Sequence, residues 1–190
     1  MAETITPHPE RADMAELVQA LAEAAGEHLL EVVAAQDMDE LAIRPACLLG
    51  VVDRLRSAGF NHLLDIGGVD HYPLSPRFEV AYHFAAIPLD TTAGLQPLAA
   101  VRRLRLRVFP DDQAPFVPTL TALWPSADWA ERELYDLFGV RFTDHPNLAR
   151  LLNPLDWIGY PLRKDYPLRG LERRFVPGGR AGAVPPVKES

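Results

Sequence analysis

Proline sets the limits on this chain. Eighteen of its 190 residues are proline, and eleven of those fall at or after Pro110. A proline inside a helix removes a backbone donor and clashes with the turn before it. Pro146, Pro154, Pro161, Pro167 and Pro177 recur too closely for a long helix to form among them. Residues 143–190 are therefore expected to run extended over a surface. The same stretch carries Leu151, Leu152, Leu155, Trp157, Ile158 and Tyr160. Apolar content without regular structure implies that it lies on something, either its own domain or another chain. The last part, Val176 to Ser190, holds three glycines and three prolines and is expected to be mobile when free.

Ahead of the prolines the pattern is regular. Met14, Leu17, Val18, Leu21 and Ala25 recur at helical spacing with Gly26 as a stop, which predicts a helix over 13–25. Leu29 to Ala35 and Leu41 to Ile43 read as short strands. Pro45 suits the first turn of a second helix, with Leu48, Leu49, Val52 and Leu55 on one face and Gly59 just past its end. His62 to Val69, Phe78 to Ile87 and Val101 to Phe109 read as three further strands, the first two joined by Tyr72-Pro73-Leu74-Ser75-Pro76 as a turn. The expected fold is α+β: a mainly antiparallel mixed sheet with helices packed on it, followed by a long extended C-terminal tail. The division is a flexible N-terminus over 1–12, an α+β domain over 13–142 and the proline-punctuated tail over 143–190.

Composition excludes several functions. Hydrophobic residues make up 48% and charged residues 24%, a globular balance. No apolar run approaches the roughly 18 residues of a membrane helix. The start, with Glu3, His8, Pro9 and Glu10, has no signal-peptide pattern, so a cytoplasmic location is expected. The single cysteine, Cys47, rules out an internal disulfide, an iron–sulfur cluster held by about four thiolates of this chain, and a Cys-rich zinc site. No Gly-x-Gly-x-x-Gly, no P-loop and no helical His pair occurs. The net charge of −7 is concentrated at the front, where residues 1–44 hold ten acids and two bases.

Three groups of residues could carry function. In the strand Arg102-Arg103-Leu104-Arg105-Leu106-Arg107, alternation puts Arg103, Arg105 and Arg107 on one face. That face either meets RNA or an acidic partner, or pairs with acidic neighbours such as Glu79. The aromatic residues that stack bases on such a sheet are missing, which favours the second reading. The fold could also gather His62, Asp65, Asp70, His71, Glu79 and His83 around a metal, although their spacing has no local ligand logic.

The third group runs from Trp124 to Gly139. Asp128 and Glu131 resemble a capping box, and Gly139 suits a helix stop. Ala130, Leu134, Leu137 and Phe138 form an apolar stripe, with Glu131 and Glu133 on its opposite edges. Asp128, Arg132 and Asp136 stand at i,i+4 spacing as an acid–base–acid ladder.

The run Trp124-Pro125, Trp129, Glu131-Arg132-Glu133, Asp136-Leu137-Phe138-Gly139-Val140 and His145-Pro146-Asn147-Leu148 resembles the signature of the C-type subunit of respiratory NADH:quinone oxidoreductase (complex I), also called the 30-kilodalton-type subunit. Gly159-Tyr160-Pro161-Leu162-Arg163-Lys164-Asp165-Tyr166-Pro167-Leu168 is similar to the family's closing motif. Asp70, Tyr72-Pro73, Arg77-Phe78-Glu79-Val80 and Tyr82-His83 match upstream. The likeness covers about 60–170. The family usually has a basic residue or proline at the position of Ala149, and here the nearest base is Arg150.

The resemblance implies a cofactor-free scaffold in the peripheral arm, in the form without an appended D-type segment. FMN and iron–sulfur clusters are then expected in partner subunits, which would carry electrons from NADH to quinone. The implied partners are the D-type and B-type subunits of complex I and other peripheral-arm subunits, with no nucleic acid. Membrane contact would come only through the complex, on the cytoplasmic face of a bacterial inner membrane. By carry-over from the motif, Glu131, Arg132, Glu133, Asp136, His145, Arg163, Lys164 and Asp165 form the polar set of the subunit interface, with the tail wrapping partners. The equivalent subunit of a membrane-bound hydrogenase or related dehydrogenase is the alternative within the resemblance. An RNA-binding α+β module is the alternative outside it.

Overall fold

The computed structural model describes residues 9–33, 38–88 and 101–168. The expected flexible start, apart from its last four residues, and the tail beyond Leu168 lie outside the described residues. Helix α1 spans Pro9–Ala25 and buries Met14, Val18, Leu21 and Ala25, the stripe that the spacing predicts. Gly26 ends it at φ +54°, in the left-handed region that glycine enters without a Cβ clash. A short 3-10 turn leads into β1 (Leu29–Val33), which forms a hairpin with β2 (Asp39–Ile43).

Pro45 opens a 3-10 turn, Pro45–Cys47, rather than the helix itself; α2 spans Leu48–Ser57. Its buried residues are Leu48, Val51, Val52 and Leu55, while Leu49 is 49% exposed. Leu48, Val51, Val52 and Leu55 keep i, i+3, i+4, i+7 spacing, so Val51 takes the core position and Leu49 turns outward. Strands β3 (His62–Asp70), β4 (Phe78–Ala86) and β5 (Arg102–Val108) follow.

The five strands form one sheet in the order β1-β2-β5-β4-β3. Only β2 and β5 run parallel; the other three pairings are antiparallel. Register partners Leu41, Leu106, Tyr82 and Ile66 form one row across the sheet, and all are buried. That row belongs to one apolar cluster with Leu21 of α1, Val52 of α2 and Trp124. Each such side chain, fully buried, contributes roughly 1.5–3 kcal/mol.

Register partners one residue over, Glu40, Arg105, His83 and Asp65, make a polar row on the opposite face. Arg105 pairs with Glu40 there. Arg107 donates through Nε and Nη2 to Glu79 at 2.8 and 3.0 Å, and lies within 4 Å of Glu31 and Glu40. The arginine face is thus neutralised across four strands. Arg103 stands apart from that network, exposed.

Sequence reasoning missed a second, two-stranded parallel sheet. In it β6 (Phe116–Pro118) pairs with β7 (Arg141–Thr143), and the helix α3, Ala127–Phe138, connects them. Strands of three residues, one of them following Pro115 and ending at Pro118, carry too little alternation to announce themselves. Helix α3 lies on β3, where a Cβ at Gly68 would collide with the Leu134 and Phe138 side chains. The close approach of helix to strand requires that glycine.

Candidate functional site

Helix α3 and the chain that follows it hold most of the motif residues. Ser126 is its N-cap, with no side-chain cap bond. Asp128 and Glu131 therefore form no capping box. Glu131 is fully buried and accepts from Thr119 Oγ1 (2.5 Å) and the Leu120 amide (2.8 Å), tying α3 to the end of β6. Burial pushes its pKa up to about 7; the Leu120 and Thr119 donors oppose this only in part.

His145, its side chain wholly buried, places Nε2 at 3.3 Å from Asp128 Oδ1 and 3.8 Å from Glu131 Oε2. Its Nδ1 accepts from the Asn147 amide at 3.0 Å, and its Nε2 lies 3.3 Å from the Asp128 carbonyl oxygen, which leaves Nε2 the donor. The acid–base–acid ladder does not form. Asp128 turns to His145, Arg132 donates to the Ala149 and Arg150 carbonyls, and Asp136 binds Arg150. A carbonyl-rich segment packed beside the helix outcompetes the i,i+4 pairs, which contribute only about 0.2–0.5 kcal/mol each.

Asp136 is the hub. It is fully buried, and its two oxygens accept from Arg150 Nη1 (2.6 Å), the amides of Leu151, Leu152 and Asn153 (2.8–3.1 Å) and Asn153 Nδ2 (3.0 Å). Burial alone would raise its pKa; the donors from Asn153, Arg150 and Leu152 outweigh that and hold it at about 2. Arg150 also donates to the Trp157 and Gly159 carbonyls at 3.1 and 3.0 Å. The segment 144–168 therefore lies on its own domain, irregular in backbone but pinned.

A second anchor lies at the far end. Arg77 bridges Asp70 (2.9 Å) and Asp165 (2.6 Å), and the Lys164 amide donates to Asp70 at 2.8 Å. Burial raises the Asp70 carboxyl, but Arg77 and the Lys164 and Tyr72 amides bring it down to about 2. Arg163 donates to the Phe138 carbonyl at 2.6 Å, and its guanidinium lies 4.5 Å from the Tyr160 ring centre and 4.9 Å from that of Phe78. Gly139, at φ +75°, lets this segment close on the helix end: a Cβ there would meet Arg163 Nη2 and Tyr160 Cε2 at 2.5 Å.

Of the eight motif residues, Glu131, Asp136 and the His145 side chain are buried inside the chain, and Arg163 and Asp165 hold it together. Arg132 is partly buried, whereas Glu133 and Lys164 are exposed. Around them a set of large apolar side chains is left uncovered: Trp129 (66% exposed), Leu152 (62%), Leu155 (85%), Ile158 and Leu162. A groove of about 580 Å³ lies in the same segment, lined by Trp157, Pro161, Arg163, Lys164, Tyr166 and Leu168. Sequence reasoning passed over the roles of Arg77 and Arg150, because no local spacing joins Arg77 to Asp165 or Arg150 to Asp136.

The histidines and carboxylates of the central strands do not converge. His71 Nε2 lies 2.8 Å from Glu79 Oε2, and Asp70 is taken by Arg77. Among the described residues, no group of three or more His, Cys, Asp or Glu is placed to hold a metal ion. No helix among them is long and apolar enough to cross a membrane.

Comparison with known proteins gives a consistent result. A family model described as "Respiratory-chain NADH dehydrogenase, 30 Kd subunit" matches residues 41–172. The C subunit of the NADH-quinone oxidoreductase of Methylobacterium sp. (strain 4-46) is 37% identical over 195 residues, covering 98% of this chain and 85% of that protein. The corresponding C subunit from Methylobacillus flagellatus is 39% identical over 152 residues, covering 74% of this chain and 72% of its own. Among solved structures, "Nqo5 of the trypsin-resistant fragment (1-134)" aligns with a TM-score of 0.56 at 31% identity, covering 70% of this chain and 98% of that one. A chain of an archaeal membrane-bound sulfane sulfur reductase, described as a respiratory membrane complex, aligns with a TM-score of 0.59, covering 82% of this chain and 86% of its own. At 21% identity that second likeness speaks to the fold alone.

Proposed function

This chain belongs to the family of the 30-kilodalton subunit of the respiratory-chain NADH dehydrogenase, the C-type subunit of NADH:quinone oxidoreductase, and from that premise we propose that it acts in the complex as a scaffold, not as a carrier of electrons. NADH oxidation with FMN, transfer through iron–sulfur clusters and quinone reduction then take place in partner subunits. The chain supplies surface and positioning on the cytoplasmic side of the membrane. Its partners on this reading are the D-type and B-type subunits.

The observation that carries the reading is the pinned 144–168 segment. Free peptide of this composition would collapse or wander, but here Asp136, Arg150, Arg77 and Asp165 fix its backbone and leave Leu152, Leu155 and Leu162 facing out. An ordered face with uncovered apolar side chains is what a docking surface needs: the ordering entropy is met before the partner arrives. Glu133, Lys164 and the part-exposed Arg132 form its polar rim. Glu131, Asp136, Arg163 and Asp165 act on the interface by shaping it, and His145 holds the entry of the segment.

The test uses a tagged chain in the native organism or an operon-expressing host. Replacing Leu152 and Leu155 with aspartate should strip the D-type and B-type subunits from the purified complex while the variant chain accumulates. Co-purification at the wild-type level would overturn the reading.

A further inference from the structure

We propose that a groove between α2 and the ends of β6 and β7 is a second docking point, fitted to a partner segment that brings an aliphatic side chain with a lysine or arginine beside it. The proposal rests on the reading above that the chain assembles with other subunits, and adds to it a separate surface and the chemistry of its occupant.

The groove has a volume of about 470 Å³. Pro118, Ala122, Leu123 and Leu49 give it an apolar lining. Leu49 is the residue that α2 turns away from its own core, 49% exposed on a helix whose other large aliphatic residues are buried. An aliphatic side chain seated there would cover it. A strongly polar ligand would leave that lining without contact.

Two carboxylates flank the lining. Asp53 stands one helical turn after Leu49 on the same face of α2, and Asp144 directly follows β7. Neither makes an ion pair with any other described residue. This sets them apart from Glu40, Asp70, Glu79, Asp136 and Asp165, each of which is held by an arginine of this chain. An apolar seat with two unpaired negative charges on its rim attracts a cationic, aliphatic segment and repels an anionic one.

One wall of the seat is tied to the interior of the chain. Thr119, in the groove wall, donates its hydroxyl to the buried Glu131 carboxyl behind it. On α3, Glu131 lies about 200° around the helix from the exposed Trp129. Of the 144–168 segment Asp144 alone borders the groove; Trp129, Leu152, Leu155, Ile158 and Leu162 take no part in its lining, so the groove and that apolar face would seat different segments.

The complex is purified through a tag on this chain, with the photoreactive residue p-benzoylphenylalanine in place of Leu49. Irradiation should join this position to another subunit, at a site where a lysine or arginine lies within one helical turn of an aliphatic residue. Asp53→Lys combined with Asp144→Lys should cut the cross-link yield about tenfold or more. If other subunits co-purify but the position cross-links to none of them, or joins a second copy of this chain, or reaches a segment lacking a basic residue, the groove proposal fails. It also fails if the double lysine variant keeps the wild-type yield. If no other subunit co-purifies with the unaltered chain, the assembly reading has failed, and the groove proposal falls with it.

Discussion

Asp136 and Arg150 meet at 2.6 Å with the carboxylate wholly buried, fourteen residues apart in sequence and on opposite sides of the turn that leaves α3. Around that pair, three backbone amides and one side-chain amide converge on the same two oxygens. Removing one partner leaves a buried charge without its counter-ion, which costs about 3–5 kcal/mol. Arg150→Ala is expected to lower stability by that amount, read as a fall in the urea midpoint, and to expose Leu151 to Gly159 to proteolysis. A change below about 0.5 kcal/mol would show that the hub does not hold the segment.

The same pair predicts an acid limb. The Asp136 pKa is lowered from 3.8 to about 2, below its unfolded value. Its contribution, on the order of 2 kcal/mol, is fully present above pH 3.8 and is lost as the pH falls through about 2. Asp136→Asn should lose most of that acid dependence as well as stability at neutral pH. The comparison is unfolding free energy against pH for the two proteins.

Glu131 predicts the opposite slope. Its pKa is raised from 4.5 to about 7, because the carboxyl is buried. The protonated form is favoured by folding, so its contribution is fully present below pH 4.5 and is lost as the pH rises through about 7. Glu131→Gln, which can still accept from the Leu120 amide, should flatten stability between about pH 5.5 and 8. At pH 8 the variant is expected to match or exceed the wild type. Denaturation midpoints at those two pH values decide it.

Gly139 serves both the helix stop and the docked segment. Alanine at φ +75° costs about 1–2 kcal/mol in backbone terms. Its Cβ would also press on Tyr160 and Arg163 at 2.5 Å. Gly139→Ala should therefore cost more than backbone strain alone, and faster exchange of the Leu162 amide, which donates to the Leu137 carbonyl, should report the loosening. Unchanged exchange would separate the helix stop from the segment.

Much of the fold was legible from periodicity. The α1 stripe and the alternation of β5 show in the sequence because one face of each is buried against the core. The partnering of Arg107 by Glu79 was also accessible, since strand alternation puts both on one face. Leu49 and Val51 were not separable by pattern, because two apolar neighbours fit the stripe and only the true start of α2 at Leu48 selects between them. The Asp128–Glu131 spacing suggested a cap, yet tertiary donors from Thr119 and Leu120 captured Glu131 instead. The links from Arg150 to Asp136 and from Arg77 to Asp165 depend on where a proline-punctuated segment comes to rest, and no local spacing records that.

The central claim is that the 144–168 face seats partner subunits. The direct measurement is the amount of assembled complex, by native gel and NADH:quinone reductase activity of membranes, for wild type and for Leu152→Asp with Leu155→Asp. Both side chains are more than 60% exposed, so the substitutions leave this chain's own fold intact. The account predicts loss of assembled complex and of activity while the variant chain persists at normal levels. Wild-type amounts of complex carrying the double variant would contradict it.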